Sequence, residues 1–149
     1  MTMNKRLNPY DFSLQSEDPK SVILFSFKEV ELERYKSINY LVHIKDDLFT
    51  GHIEIWIAYE DFKLFVEGLL KTRNKESNRI RLQAMSEDEF EMTLIERRSE
   101  NYEVAYSITK RRYSKNRLIE TTLKGSFDYD SEFLNALKQN VKDICRLLH

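Results

Sequence analysis

The sequence predicts an α+β fold: an antiparallel sheet of about seven strands with two helices, in the order β-β-β-α-β-β-β-β-α, both helices on one face. Two observations carry this. Most of the chain alternates apolar and polar residues with period two, the mark of a half-buried strand, while two segments repeat at three and four residues, the mark of an amphipathic helix. The links between the strands are short and polar, which favours an antiparallel meander over parallel crossovers. Strands grouped around two helices read as α+β.

Residues 1–20 are polar and hold both prolines, Pro9 and Pro19, so they are expected to form a flexible N-terminal arm pinned by Tyr10 and Phe12. A single domain then spans 21–149. Its first strand starts with the apolar run Val22-Ile23-Leu24-Phe25 and ends in Glu29-Val30-Glu31-Leu32-Glu33. A second, from Ile38 to Lys45, puts Tyr40, Val42 and Ile44 on one face. Asp46-Asp47 turns the chain into a third, Phe49 to Ala58, with Ile53, Ile55 and Ile57 facing one way and Glu54 and Trp56 the other. Gly51 in that strand marks a bulge or close packing. Phe62, Phe65, Val66, Leu69 and Leu70 then form a helical stripe. Glu60 and Asp61 lie in its first turn and Lys71 and Arg73 at its end, as the helix dipole favours.

Four more strands follow. Ile80, Leu82 and Ala84 alternate with Arg79, Arg81 and Gln83; Phe90, Met92 and Leu94 alternate with Glu91 and Thr93; Tyr102, Val104, Tyr106 and Ile108 share a face. After a basic loop, Ile119, Thr121, Leu123, Gly125 and Phe127 share another. Asp128 or Asp130 can cap the last helix by accepting its free first-turn amides. Its stripe is Phe133, Leu134, Leu137, Val141, Ile144, Leu147 and Leu148. No repeat of fixed period is found, and side-chain identity does not support two sheet-plus-helix halves.

Composition sets the outer bounds. The 149 residues hold 24 basic and 25 acidic side chains, and 41% are hydrophobic. That is enough apolar surface to offset ordering entropy, so a disordered chain is excluded. Residues 1–75 carry 11 basic and 12 acidic groups and residues 76–149 carry 13 of each, so neither half has the basic footprint of a nucleic-acid binder. Gly51, Gly68 and Gly125 are isolated, which excludes a glycine-rich phosphate loop. The single Cys145 excludes an internal disulfide and a cysteine-cluster zinc site. With no apolar stretch of membrane length and no signal-peptide core in the first nine residues, a cytoplasmic location is expected. No cofactor or metal is expected.

Candidate chemistry is sparse. His43 and His52 flank the Asp46-Asp47 turn on adjacent strands, where they could form an acid/base pair or part of a metal site with Asp46, Asp47 or Glu54; the plainer reading is two surface histidines. The acidic clusters Asp46/Asp47, Glu60/Asp61 and Glu87/Asp88/Glu89/Glu91 could act as paired acids as in glycoside hydrolysis, but they fall at turns and helix starts, where acids are expected for structural reasons. Cys145 reads as a partly buried structural cysteine. From Val104 to Leu118 there are five basic residues, Lys110, Arg111, Arg112, Lys115 and Arg117, no acid, and the interleaved Tyr106 and Tyr113. Such a segment suits an anion or an acidic protein surface. A second basic cluster is Lys71, Arg73, Lys75, Arg79 and Arg81. Trp56 lies opposite the isoleucine face, where an aromatic on an open sheet is a typical interface anchor.

Phe49-Thr50-Gly51, then Glu54-Ile55-Trp56-Ile57, then Glu60-Asp61-Phe62 with Phe65, Leu69-Leu70, Leu82 and Met85, resemble the small WapI-type bacterial immunity proteins over roughly residues 37–110. The resemblance implies a non-enzymatic protein that neutralises a cognate toxin domain by direct binding. The near-neutral charge departs from the acidic character of many nuclease inhibitors. The contacts expected for such a role are Trp56, Tyr106, Arg111, Arg112 and Tyr113. Two other classes stay open: a ligand-binding module or enzyme using His43 and His52 in a cleft between sheet and helices, and a homo-oligomeric structural module pairing through sheet faces.

Overall fold

The computed structural model describes residues 8–71, 79–98 and 101–149, and shows an α+β molecule of eight strands and two helices. The strands are β1 (Phe12–Gln15), β2 (Ser21–Glu31), β3 (Ser37–Asp46), β4 (Phe49–Ala58), β5 (Arg79–Gln83), β6 (Phe90–Arg98), β7 (Asn101–Ser114) and β8 (Arg117–Tyr129). Helix α1 (Tyr59–Leu70) follows β4, and α2 (Leu134–Leu148) follows β8 after one 3-10 turn, Ser131–Phe133.

The strands form two antiparallel four-stranded sheets, β1-β2-β3-β4 and β5-β6-β7-β8, in place of the single sheet expected. Each half of the chain therefore runs through four sequential strands and then a helix. The halves repeat in topology although their side chains do not. The helix between β4 and β5 is the reason for the split: it carries the chain from the edge of one sheet to the edge of another.

The eighth strand is β1, inside the segment expected to be a loose arm. Phe12 and Leu14 are fully buried, and β1 pairs with β2 through Phe12↔Phe25 and Leu14↔Ile23. Two residues of alternation were too few to outweigh the flanking prolines. At its end Ser16 bridges Tyr129, and Asp130 donates its N–H to the Gln15 carbonyl (2.9 Å), so β1 touches both sheets.

One core unites the inner faces of both sheets with both helices. The rings of Phe12 and Phe25 stack at 4.2 Å, and Phe25 of the first sheet meets Phe90 of the second edge-on at 5.6 Å. From α1, Phe62, Phe65, Val66 and Leu69 enter this core, and from α2, Leu137, Val141, Ile144 and Leu148. These are the spacings that predicted the helices, but Leu70 and Phe133, counted in the predicted stripes, are 51% and 44% exposed. Asp130 Oδ1 accepts the Glu132 N–H at 3.1 Å and caps the 3-10 turn, whereas α2 itself starts after Phe133 with no side-chain cap, so the expected cap stands one turn ahead of the helix. Gly51 keeps regular register opposite Ile44. A Cβ there would lie 3.0 Å from both Ile108 Cδ1 and Leu123 Cδ2, so the glycine serves close sheet-to-sheet packing. No helix among the described residues is long and apolar enough to cross a membrane.

Candidate interaction surface

The basic loop is a ribbon. Strand β7 continues to Ser114, and β8 pairs with it without interruption from Ser114↔Arg117 to Tyr102↔Tyr129. Lys115 and Asn116 close the ribbon with φ of 53° and 63°, the double left-handed turn that matches strand twist. Alternation that had been hidden by the basic residues thus persists to the tip.

At its base the ribbon is anchored to the first sheet. Ile108 and Leu123 pack on Gly51, and the buried Tyr106 hydroxyl donates to Asp46 Oδ2, whose other oxygen accepts from Ser21 Oγ at 2.7 Å. Beyond this point the side chains emerge from the core. Tyr113 is 76% exposed and Leu118, its partner across the ribbon, 46%. On the same face Arg111 binds Glu120 at 2.6 Å and reaches the Glu87 carbonyl at 3.4 Å. On the opposite face Lys110 pairs with Thr121 and Arg112 with Ile119. Lys110, Arg112, Lys115 and Arg117 form no ion pair among the described residues, so the tip keeps a positive field.

Leu48 in the β3–β4 turn and Phe49, the first residue of β4 and the cross-strand partner of Asp46, are 88% and 68% exposed. They were not among the contacts expected from sequence. The signal was there: two consecutive apolar residues directly after a turn cannot both face inward on one strand.

The expected contacts divide. Arg111 and Tyr113 share one face of the ribbon near its tip, and Arg112 stands between them on the other face. Tyr106 is 4% exposed and engaged with Asp46, so it belongs to the core and not to the contact surface. Trp56 lies half-buried on the outer face of the first sheet, opposite the buried Asn39, and its carbonyl accepts the Met85 N–H at 2.8 Å. Leu24 and Leu41 share that outer face, also half-buried. In the second basic cluster Arg81 pairs with Glu91, and Arg73 and Lys75 lie outside the described residues. Arg81 stands level with Thr93 and Ala105, six positions from Arg111 on β7 and so about 20 Å along the strand; it does not merge with the tip.

His43 and His52 are direct cross-strand partners with ring centroids 6.0 Å apart. They stand on the face turned away from the helices, because Val42 and Ile44 take the inner side. A cleft between sheet and helices therefore cannot use them, and the aromatic core fills that space. No group of three or more His, Cys, Asp or Glu among the described residues could hold a metal ion. Burial, and then the charge of His52, pushes the His43 imidazole below its usual range. Burial likewise raises the Cys145 thiol, which disfavours its thiolate.

Comparison with family models, curated proteins and solved structures finds no match to this chain.

Proposed function

We propose that this chain is a binding protein that docks on an acidic partner surface through the β7–β8 ribbon, neutralising a toxin domain as the immunity proteins that it resembles do. The observation that carries the reading is the ribbon itself. It leaves the core carrying Tyr113 and Leu118 exposed among four cations without carboxylate partners. Aromatic and arginine side chains on a preorganised element give affinity at low ordering cost, and the cations steer an acidic partner toward it.

The test is capture of the partner by the tagged full chain, followed by calorimetry on the purified pair. Arg112→Ala and Tyr113→Ala are each expected to weaken binding by about 1–3 kcal/mol with no change in melting temperature. Unchanged affinity in both would refute this surface. A loss confined to Trp56→Ala would move the site to the outer face of the first sheet.

A further inference from the structure

Strand β8 closes its sheet on one side only. Thr109 donates its N–H to the Glu89 carbonyl at 3.0 Å, so its main-chain groups point away from β8. Its partner Thr122 consequently turns its own N–H and C=O away from β7, as do Leu118, Glu120, Lys124 and Ser126, which share its parity. At the far end this outward row is used by the molecule itself, where Asp130 donates to Gln15. From Leu118 to Ser126 no strand of the described residues pairs with it.

Exposed edges of this length are normally blunted by proline, a bulge or like-charged lysines. The β8 edge has no proline or bulge, and its charges are of opposite sign on either side of Thr122. Glu120 precedes Thr122 by two residues and Lys124 follows by two, on the same face. Turned about an axis through Thr122, an identical strand sets Thr122 against Thr122, Glu120 against Lys124 and Leu118 against Ser126. Every outward group of this stretch then has a partner, in about ten main-chain hydrogen bonds. Both cross-strand charge pairs are attractive. Lys124 forms no ion pair among the described residues, and Glu120 holds only Arg111.

We propose that the β8 edge binds a second copy of this chain antiparallel about Thr122, joining two four-stranded sheets into one continuous sheet of eight. The tips point in opposite directions, and Leu118 is the residue of the ribbon surface that this pairing also covers.

Sedimentation equilibrium of the full chain over about 1–200 µM tests it, since a self-associating chain changes mass with concentration. The expected species is twice 17.9 kDa. Glu120→Lys and Lys124→Glu each set like charges opposite one another and weaken dimerisation by about tenfold or more. An equimolar mixture of the two variants regains it, because both pairs in the mixed dimer are again attractive. Thr122→Pro removes an outward N–H, which an edge strand tolerates, and gives a monomer with an unchanged circular dichroism spectrum. Wild type that stays at 17.9 kDa throughout overturns the proposal, and so does a mixture no more dimeric than either variant alone. Should Glu120→Lys fail to fold without its Arg111 contact, Lys124→Glu and Thr122→Pro decide the matter alone.

Discussion

His43 shows how one side chain can read its surroundings. It sits half-buried between Leu24 and His52 on the outer face of the first sheet, and both burial and the neighbouring imidazole oppose its protonation. The unfolded chain binds this proton at the ordinary value of 6.5, and the folded chain only at lower pH. Well above 6.5 neither state is protonated and the residue adds no pH dependence. As pH falls through 6.5 the unfolded state takes up the proton first, so stability is lost until the folded-state value is passed. A proton NMR titration is expected to place His43 below 6.5, and His52→Asn to move it back part of the way. A midpoint at or above 6.5 in the wild type would contradict the burial described for this face. Glycine offers a second residue-scale lesson. A Cβ on Gly125 would lie 2.5 Å from the Tyr106 hydroxyl and 3.0 Å from Asp46 Oδ2, so the glycine makes room for the bond that anchors the ribbon.

At the scale of the element, the ribbon turn is where backbone preference and sequence disagree. Type I′ turns favour Asn-Gly, because both central residues have positive φ; here they are Lys115-Asn116. A lysine in that conformation costs roughly 1–2 kcal/mol. Lys115→Asn with Asn116→Gly is expected to stabilise the ribbon and slow amide hydrogen exchange at 110–114 and 117–121. Unchanged or faster exchange would show that the turn is not what limits the ribbon. The same disagreement explains what could be read from sequence. Strands that carry isoleucine or phenylalanine at alternate positions, such as Phe49–Ala58, were legible to the residue. The β8 arm was read from Leu118 to Phe127, but the β7 arm beyond Ile108 was not, because its faces bear charges on both sides and lose the period-two signal. Its turn residues also lack the usual glycine. Of the candidate site, Arg111, Arg112 and Tyr113 were legible through charge clustering. The burial of Tyr106 depends on Asp46, a residue 60 positions away, and that distance is invisible to local pattern.

At the scale of the molecule, the two ββββα halves share one core, and this decides how the chain unfolds. Phe25 and Phe90 meet across the sheets, α1 and α2 pack on each other, and β1 is tied to the end of β8. A four-stranded sheet with one helix would expose its inner face if the other half melted first, and that apolar surface is too large to leave in water. The halves should therefore melt together. The only tryptophan, Trp56, reports on the first sheet, while far-ultraviolet circular dichroism reports on all eight strands and both helices. Urea titrations followed by the two signals are expected to superimpose with one midpoint. Trimming Phe90 to leucine, in the second sheet, should lower the Trp56 midpoint as much as the dichroism midpoint, because the aromatic contact it loses belongs to both halves. Two separated transitions, or a Trp56 signal indifferent to Phe90→Leu, would mean that the halves are independent domains and that topology repeats without a shared core.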